Sequence, residues 1–245
     1  MANETNMTRF IVLFQGRSGS TYLTEALAAH PDVSMKFEIL AAMAENIRKG
    51  KLSPHVQAES IERFFSTNTT GAHRAQGFKT KFRDIAEPDQ LAKLLRDLNV
   101  RVVLLRRRNR VKVAVSWFNA MRLNERTGDW NLYTKRDRPA AMAIDPVSFR
   151  KRLAIIEDQE KKLVDYVNNL RLPTLCLHYE DLLLDEHEFF RMVLSFLNLP
   201  PCIMRGKALK NTSDKLCDVL LNFDEIRSNY VGTPYEQMFG EVLVS

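Results

Sequence analysis

Residues 9–25, RFIVLFQGRSGSTYLTE, constrain the fold more than any other stretch of this chain. The uninterrupted apolar run from Phe10 to Phe14 predicts a strand buried on both faces. A tight turn follows, Gly16-Arg17-Ser18-Gly19-Ser20-Thr21, and then a helix with Leu23, Ala26 and Leu27 on one face. A strand, a small-residue turn and a helix N-terminus together make an anion cradle. The turn amides converge, the helix dipole adds partial positive charge, and serine and threonine hydroxyls donate further. Arg17 adds a planar, permanently charged set of donors. The stretch predicts a phosphate grip near residue 17. The plainer alternative is an ordinary strand-to-helix connection, because the same residue types also serve turns and caps.

Two better-known phosphate motifs are missing. The Walker pattern needs four residues between its glycines and then Gly-Lys-Ser/Thr, whereas only Arg17 and Ser18 separate Gly16 from Gly19 and no lysine follows. The G-x-G-x-x-G dinucleotide fingerprint fails as well. Neither an ATPase nor a Rossmann dehydrogenase is expected.

Alternating strand and helix patterns run along the rest of the chain. Strands are expected at 9–15, 77–82, 100–105 and 173–178, with a short strand or turn at 33–40. Helices are expected at 20–29, 38–49, 54–66, 88–98, 110–124, 146–170 and 186–197. A last helix, capped by Ser213, is expected to run to about Asn229, and residues 125–145 read as a long polar loop suited to a lid. This order predicts an α/β fold, a mainly parallel sheet covered by helices on both faces, with ligands at the carboxyl ends of the strands. At 245 residues the chain is read as one domain over 1–245, with 1–8 a disordered N-terminus.

Composition narrows the function classes. An apolar fraction of 45% and a charged fraction of 27% suit a globular protein, and no apolar run approaches a membrane span. The start, MANETNMTR, lacks the basic-then-apolar pattern of a signal peptide, so the cytoplasm is the expected location. Cys176, Cys202 and Cys217 and the five histidines show no ligand spacing, and no metal is expected. The net charge of +6 points to anionic partners. Residues 101–112, RVVLLRRRNRVK, hold six basic residues and no acid. That cluster starts as a buried strand and lacks interleaved aromatics, which favours a specific pocket over a nucleic-acid tract. Nucleic acid is therefore not an expected partner. Oligomeric state is not legible.

Arg108 sits at a strand–helix junction, and Ser116 lies eight residues on, about two turns into the following helix. Both can reach one phosphate if strand end and helix side face a common crevice. With Arg17-Ser18-Gly19-Ser20-Thr21, this pattern resembles the sulfotransferases that use 3′-phosphoadenosine 5′-phosphosulfate (PAPS), in the arginine form seen in carbohydrate-type and bacterial members. The likeness extends over about residues 9–240. It includes the intervening strand Gly77–Phe82, a basic loop at 207–214, and Gly232-Thr233-Pro234-Tyr235 in the tail.

The resemblance implies a P-loop-like fold and transfer of a sulfuryl group from PAPS to a hydroxyl of a carbohydrate, glycolipid or other small compound, without a metal. It implies that Arg17, Ser18, Gly19, Ser20 and Thr21 hold the 5′-phosphosulfate and that Arg108 and Ser116 hold the 3′-phosphate. Lys210, Asn211 and Thr212 resemble the loop that closes over the nucleotide, with simple solvation as the alternative. Lys79 is a candidate helper in catalysis. Glu38 is the candidate base, in an apolar setting expected to raise its pKa, against the alternative of a carboxylate satisfying helix N-terminal amides. Asp32, His73 and Lys81 are poorer candidates. The chain departs from the family pattern at Arg110, where many members have proline, and at Lys81, where cytosolic members often have histidine. Tyr179-Glu180-Asp181 is read as fold-supporting. A non-catalytic binder of adenine nucleotides or polyanions is the competing class.

Overall fold

The computed structural model describes residues 7–67 and 73–242. In chain order the elements are β1 (Thr8–Phe14), α1 (Ser20–Ala28), β2 (Val33–Lys36), α2 (Ala41–Arg48), α3 (Val56–Ser66), β3 (Ala75–Thr80), α4 (Pro88–Asp97), β4 (Arg101–Arg106), α5 (Arg110–Thr127), α6 (Pro146–Leu170), β5 (Thr174–His178), α7 (Tyr179–Leu184), α8 (Glu186–Phe196), α9 (Phe223–Ser228) and α10 (Glu236–Gly240). The strands form one sheet in the order β2-β3-β1-β4-β5, and every pair is parallel.

The side-chain period of two explains why β1 is apolar from Phe10 to Phe14. Phe10, Val12 and Phe14 pack with Leu23, Ala26 and Leu27 of α1 and with Phe189, Phe190 and Val193 of α8. Ile11 and Leu13 point the other way, into a layer built by Ile61 and Phe65 of α3, Leu91 and Leu95 of α4, and Leu163 and Leu170 of α6. The sheet is thus the middle of three layers. A third cluster joins Val111, Val113 and Val115 of α5 to Phe149 and Leu153 of α6 and to Leu216, Leu220 and Phe239 of the tail.

Three helix starts are set by side-chain capping. Asn109 accepts from the Lys112 amide at 2.8 Å, Asp145 from Ser148 at 2.8 Å with Pro146 behind it, and Asp185 from Glu188 at 2.9 Å. Element ends differ from the sequence expectation by a residue or two, as fraying ends do.

Three expectations are corrected. Ser213 caps no long helix. Its hydroxyl accepts from the Lys215 amide at 3.3 Å, and the tail breaks into a 3-10 turn at Leu216–Asp218, then α9, then α10. The cause is tertiary: Leu221 N donates to Met142 O at 2.8 Å, and the Asn222 side chain bonds both backbone groups of Ile144. Those bonds tie the turn at 219–222 to 142–144. The helix α7 was not foreseen, since six residues are too few for a periodic signal. Residues 1–6 of the expected disordered N-terminus lie outside the described residues. Thr8 is already in β1, with its amide bonded to Arg74 O at 2.9 Å. No helix among the described residues is long and apolar enough to cross a membrane.

Candidate active site

The turn after β1 lies at the carboxyl end of the central strand. Gly19 is the N-cap of α1 with φ +81°, and a Cβ there would lie 2.7 Å from the Tyr179 ring. Only glycine meets both demands. It supplies no side-chain acceptor, so the first-turn amides of α1 are left for a ligand. Arg17 is left-handed too, at φ 67°, which costs a residue with a Cβ. Ser18 is buried and donates to Gln15 O at 2.6 Å, bracing the turn from within. Ser20 is buried at the start of α1, and its carbonyl accepts from Thr24 Oγ1 at 2.9 Å.

The Arg17 guanidinium crosses to α5. Its Nε donates to Ser116 Oγ at 3.1 Å and its Nη1 to Trp130 O at 2.9 Å. Burial, with the neighbouring Arg107 charge, lowers its pKa to about 10, so it stays cationic at neutral pH. Two of the phosphate residues expected from sequence are therefore brought together, although 99 positions separate them.

On the other side of the turn, Lys79 at the end of β3 donates to Thr21 Oγ1 at 3.0 Å and lies 3.6 Å from Glu38 Oε1. Lys81 pairs with Glu38 Oε2. Lys79 is 2% exposed, and burial pushes its ammonium from 10.5 down to about 8; Glu38 opposes that shift and Lys81 adds to it. The apolar setting expected for Glu38 is not what the structure has. Glu38 sits in the loop after β2 between two ammonium groups, and it caps no helix.

Arg108 does not reach Ser116. It is half-exposed and makes a two-pronged contact with Asp181, 2.8 Å to Oδ1 and 3.2 Å to Oδ2, with His178 Nδ1 at 3.1 Å. Glu180, buried, accepts the amides of Arg108 at 3.0 Å and Asn109 at 3.2 Å, which holds the β4–α5 turn.

The rim comes from two loops. Leu209 N donates to Leu132 O at 2.7 Å, and Glu25 Oε2 accepts the amides of Lys207 at 2.7 Å and Ala208 at 2.8 Å. Lys210 pairs with Asp214 at 3.2 Å, and Thr212 Oγ1 accepts from Asn119 at 3.2 Å. Asn211 is buried with neither side-chain polar atom bonded. Asp214 also pairs with Lys112, 1% exposed, at 2.9 Å. Sequence reading passed over Glu25, Lys112 and Asp214. A lone acid, or a lysine within an apolar helix stretch, has no motif to announce it, and only the fold pairs them.

A family model described as "Sulfotransferase domain" matches residues 8–236. The chain belongs to the sulfotransferase family. Nodulation protein H of Rhizobium tropici is 24% identical over 236 residues, covering 94% of this chain and 92% of that protein. Two solved structures share the fold. The sulfotransferase from Alicyclobacillus acidocaldarius has a TM-score of 0.51 at 16% identity, covering 95% of this chain and 94% of its own. A sulfotransferase domain from the curacin biosynthetic pathway has a TM-score of 0.51 at 16% identity, covering 79% and 75%. The strand–turn–helix at 8–28 and the strand–helix at 101–127 thus lie within the matched domain. Among the described residues, no group of three His, Cys, Asp or Glu side chains could hold a metal ion.

Proposed function

We propose that this sulfotransferase uses PAPS and transfers its sulfuryl group to an acceptor hydroxyl, with Glu38 as the base. The observation that carries the reading is the convergence of Arg17, Ser116, Thr21, Lys79 and Glu38 around the carboxyl ends of β1 and β3. An anionic nucleotide suits these residues. The α1 amides lack a protein cap, Asn211 is buried with its polar atoms unpaired, and the crevice is rich in cations.

Ser18, Gly19, Ser20 and Thr21, with Arg17, would hold the 5′-phosphosulfate, and Ser116 with Arg108 the 3′-phosphate. Arg108 would exchange Asp181 for that phosphate. Lys210, Asn211 and Thr212 would close over the nucleotide. Holding donor and acceptor in line supplies the positional part of the rate. Glu38 takes the acceptor proton as the new S–O bond forms. Arg17, Lys79 and the turn amides meet the charge that builds on the leaving phosphate as the old S–O bond breaks. The acceptor class that fits the arginine-type turn and the absent strand histidine is a carbohydrate, a glycolipid or another small hydroxyl compound.

The test is calorimetric titration with 3′-phosphoadenosine 5′-phosphate, comparing wild type with Arg108→Ala, followed by an acceptor screen with labelled PAPS. Micromolar binding weakened at least tenfold by the substitution is expected. A wild type that does not bind the nucleotide refutes PAPS dependence.

A further inference from the structure

Six basic residues occupy 101–112, and five have their charge or donors met within the protein. Arg101 donates to the Phe196 carbonyl. Arg106 and Arg110 share Glu160, at 3.2 and 2.7 Å. Arg108 is clasped by Asp181, and Lys112 by Asp214. Arg107 differs: its one ion pair among the described residues is long. It is 6% exposed, yet among the described residues no hydrogen bond reaches its guanidinium, and its Nε is buried and unpaired. The nearest carboxylate oxygen, Glu180 Oε1, lies 3.9 Å away and already accepts the Asn109 amide.

Arginine cannot shed its proton to escape this position, so a buried guanidinium without acceptors is costly unless something supplies them. Its surroundings explain how it is held. The Tyr179 ring lies 4.6 Å from it, and Tyr179 is the same ring that packs on Gly19. Its backbone amide is pinned by Gln15 Oε1 at 3.0 Å, so the arginine is tied to the first turn at its root. Its charge is felt by Arg17 and by Lys210. Glu180, Asp214 and Glu241 are the carboxylates whose charge reaches it. Both Asp214 and Glu180 are already engaged by other groups.

We infer that Arg107 is a further nucleotide-binding residue, holding the 3′-phosphate together with Ser116 and sharing that duty with Arg108. The inference rests on the PAPS reading above. It assigns the two arginines different work. Arg107 is buried and pre-positioned, and its ion pair with Glu180 is long, so it would need less rearrangement than Arg108 to receive a phosphate. Arg108 must first leave Asp181. A ligand phosphate would give the Arg107 fork hydrogen-bond acceptors at short range.

The experiment compares adenosine 3′,5′-bisphosphate with adenosine 5′-phosphate by calorimetry, in wild type, Arg107→Met and Arg107→Lys. Wild type is expected to prefer the bisphosphate, and Arg107→Met to erase at least about tenfold of that preference, the range of a hydrogen-bonded charged pair. Arg107→Lys keeps the charge but not the fork and should fall between. Replacing a buried cation whose one ion pair is long by an apolar side chain of similar length should leave the melting temperature of the free protein unchanged or raised. A preference that persists in Arg107→Met, or equal losses for both nucleotides, overturns the assignment and makes Arg107 a structural residue. Should Arg107→Met not fold, an undiminished preference in Arg107→Lys overturns it equally. If wild type binds neither nucleotide, the PAPS reading itself has failed, an outcome distinct from the others.

Discussion

Arg17 Nε donates to Ser116 Oγ at 3.1 Å, joining the turn after β1 to the inner face of α5. The bond orients a guanidinium whose backbone is already left-handed, so Ser116 acts on the site partly through Arg17. Ser116→Ala should lower kcat/KM by about 10- to 100-fold, the worth of one hydrogen bond to a charged group. Arg17→Lys keeps the charge and loses the fork, and should cost at least as much. Steady-state kinetics with labelled donor checks both; a Ser116→Ala enzyme within twofold of wild type would show that this bond is incidental.

Glu38→Gln should keep nucleotide affinity within about threefold and lose turnover by about 10²- to 10⁴-fold, the range for a removed general base. Single-turnover kinetics separates the two quantities. Near-normal turnover would remove Glu38 from the mechanism and leave it as the partner of Lys79 and Lys81.

Lys79 carries a pH signature. Its folded-state pKa, about 8, lies below the ordinary 10.5, so burial disfavours its charged form in the folded protein. Between those values the unfolded chain binds more protons than the folded one, and stability rises with pH across that window. The cost is fully present below pH 8 and is relieved as pH climbs toward 10.5. Full relief would be worth up to about 3 kcal/mol. Denaturant unfolding of wild type and Lys79→Met from pH 7 to 10.5 tests this: the substitution should flatten the rise, and an identical slope in both proteins would contradict it.

Arg108 is held by Asp181 in the structure, so the carboxylate competes with any anion for that guanidinium. Asp181→Asn keeps an acceptor for the His178 amide and removes the charge. It should tighten binding of 3′-phosphoadenosine 5′-phosphate by about 2- to 10-fold, from an interaction of about 1 kcal/mol at a half-exposed pair. Calorimetry measures the change, and weaker binding would mean that Asp181 aims Arg108 rather than restraining it.

Asp214 joins Lys112 on α5 to Lys210 on the rim loop. Lys112 has 1% exposure, and Asp214→Asn would strip its close carboxylate while it stays buried. The expected loss is about 3–5 kcal/mol of unfolding free energy, typical of a broken buried pair. Lys112→Met in the same background should recover part of it, because the uncompensated charge goes too. Urea unfolding of the three variants decides the matter; additive losses would argue against a coupled pair.

The layered α/β architecture was legible because Phe10 to Phe14 of β1 and Val102 to Leu105 of β4 are uninterrupted apolar runs and the helices between strands carry a 3.6-residue period. The long helix at 146–170 is bounded in sequence by Asp145-Pro146 and found at those bounds. The tail was misread because its conformation is set by backbone bonds to 142–144, about 80 residues earlier in the chain, which no local pattern encodes. The setting of Glu38 was misread for the same reason. Its neighbours in sequence are Phe37 and Ile39, whereas its neighbours in space are Lys79 and Lys81.

By itself the sequence determined the strand–turn–helix that carries Arg17, the strand–helix that carries Arg108 and Ser116, and their order along the chain, since each follows from periodicity and turn chemistry within about twenty residues. Tertiary structure decided which charges meet. The parallel order β2-β3-β1-β4-β5 puts β3 and β4 on either side of β1. That arrangement brings Lys79 to Thr21, Ser116 to Arg17 and Asp181 to Arg108, and it leaves Arg107 without an acceptor. Electrostatic partnership depends on distance and burial in three dimensions, and three identical neighbours, Arg106-Arg107-Arg108, acquire three different environments only when the sheet and its loops assemble around them.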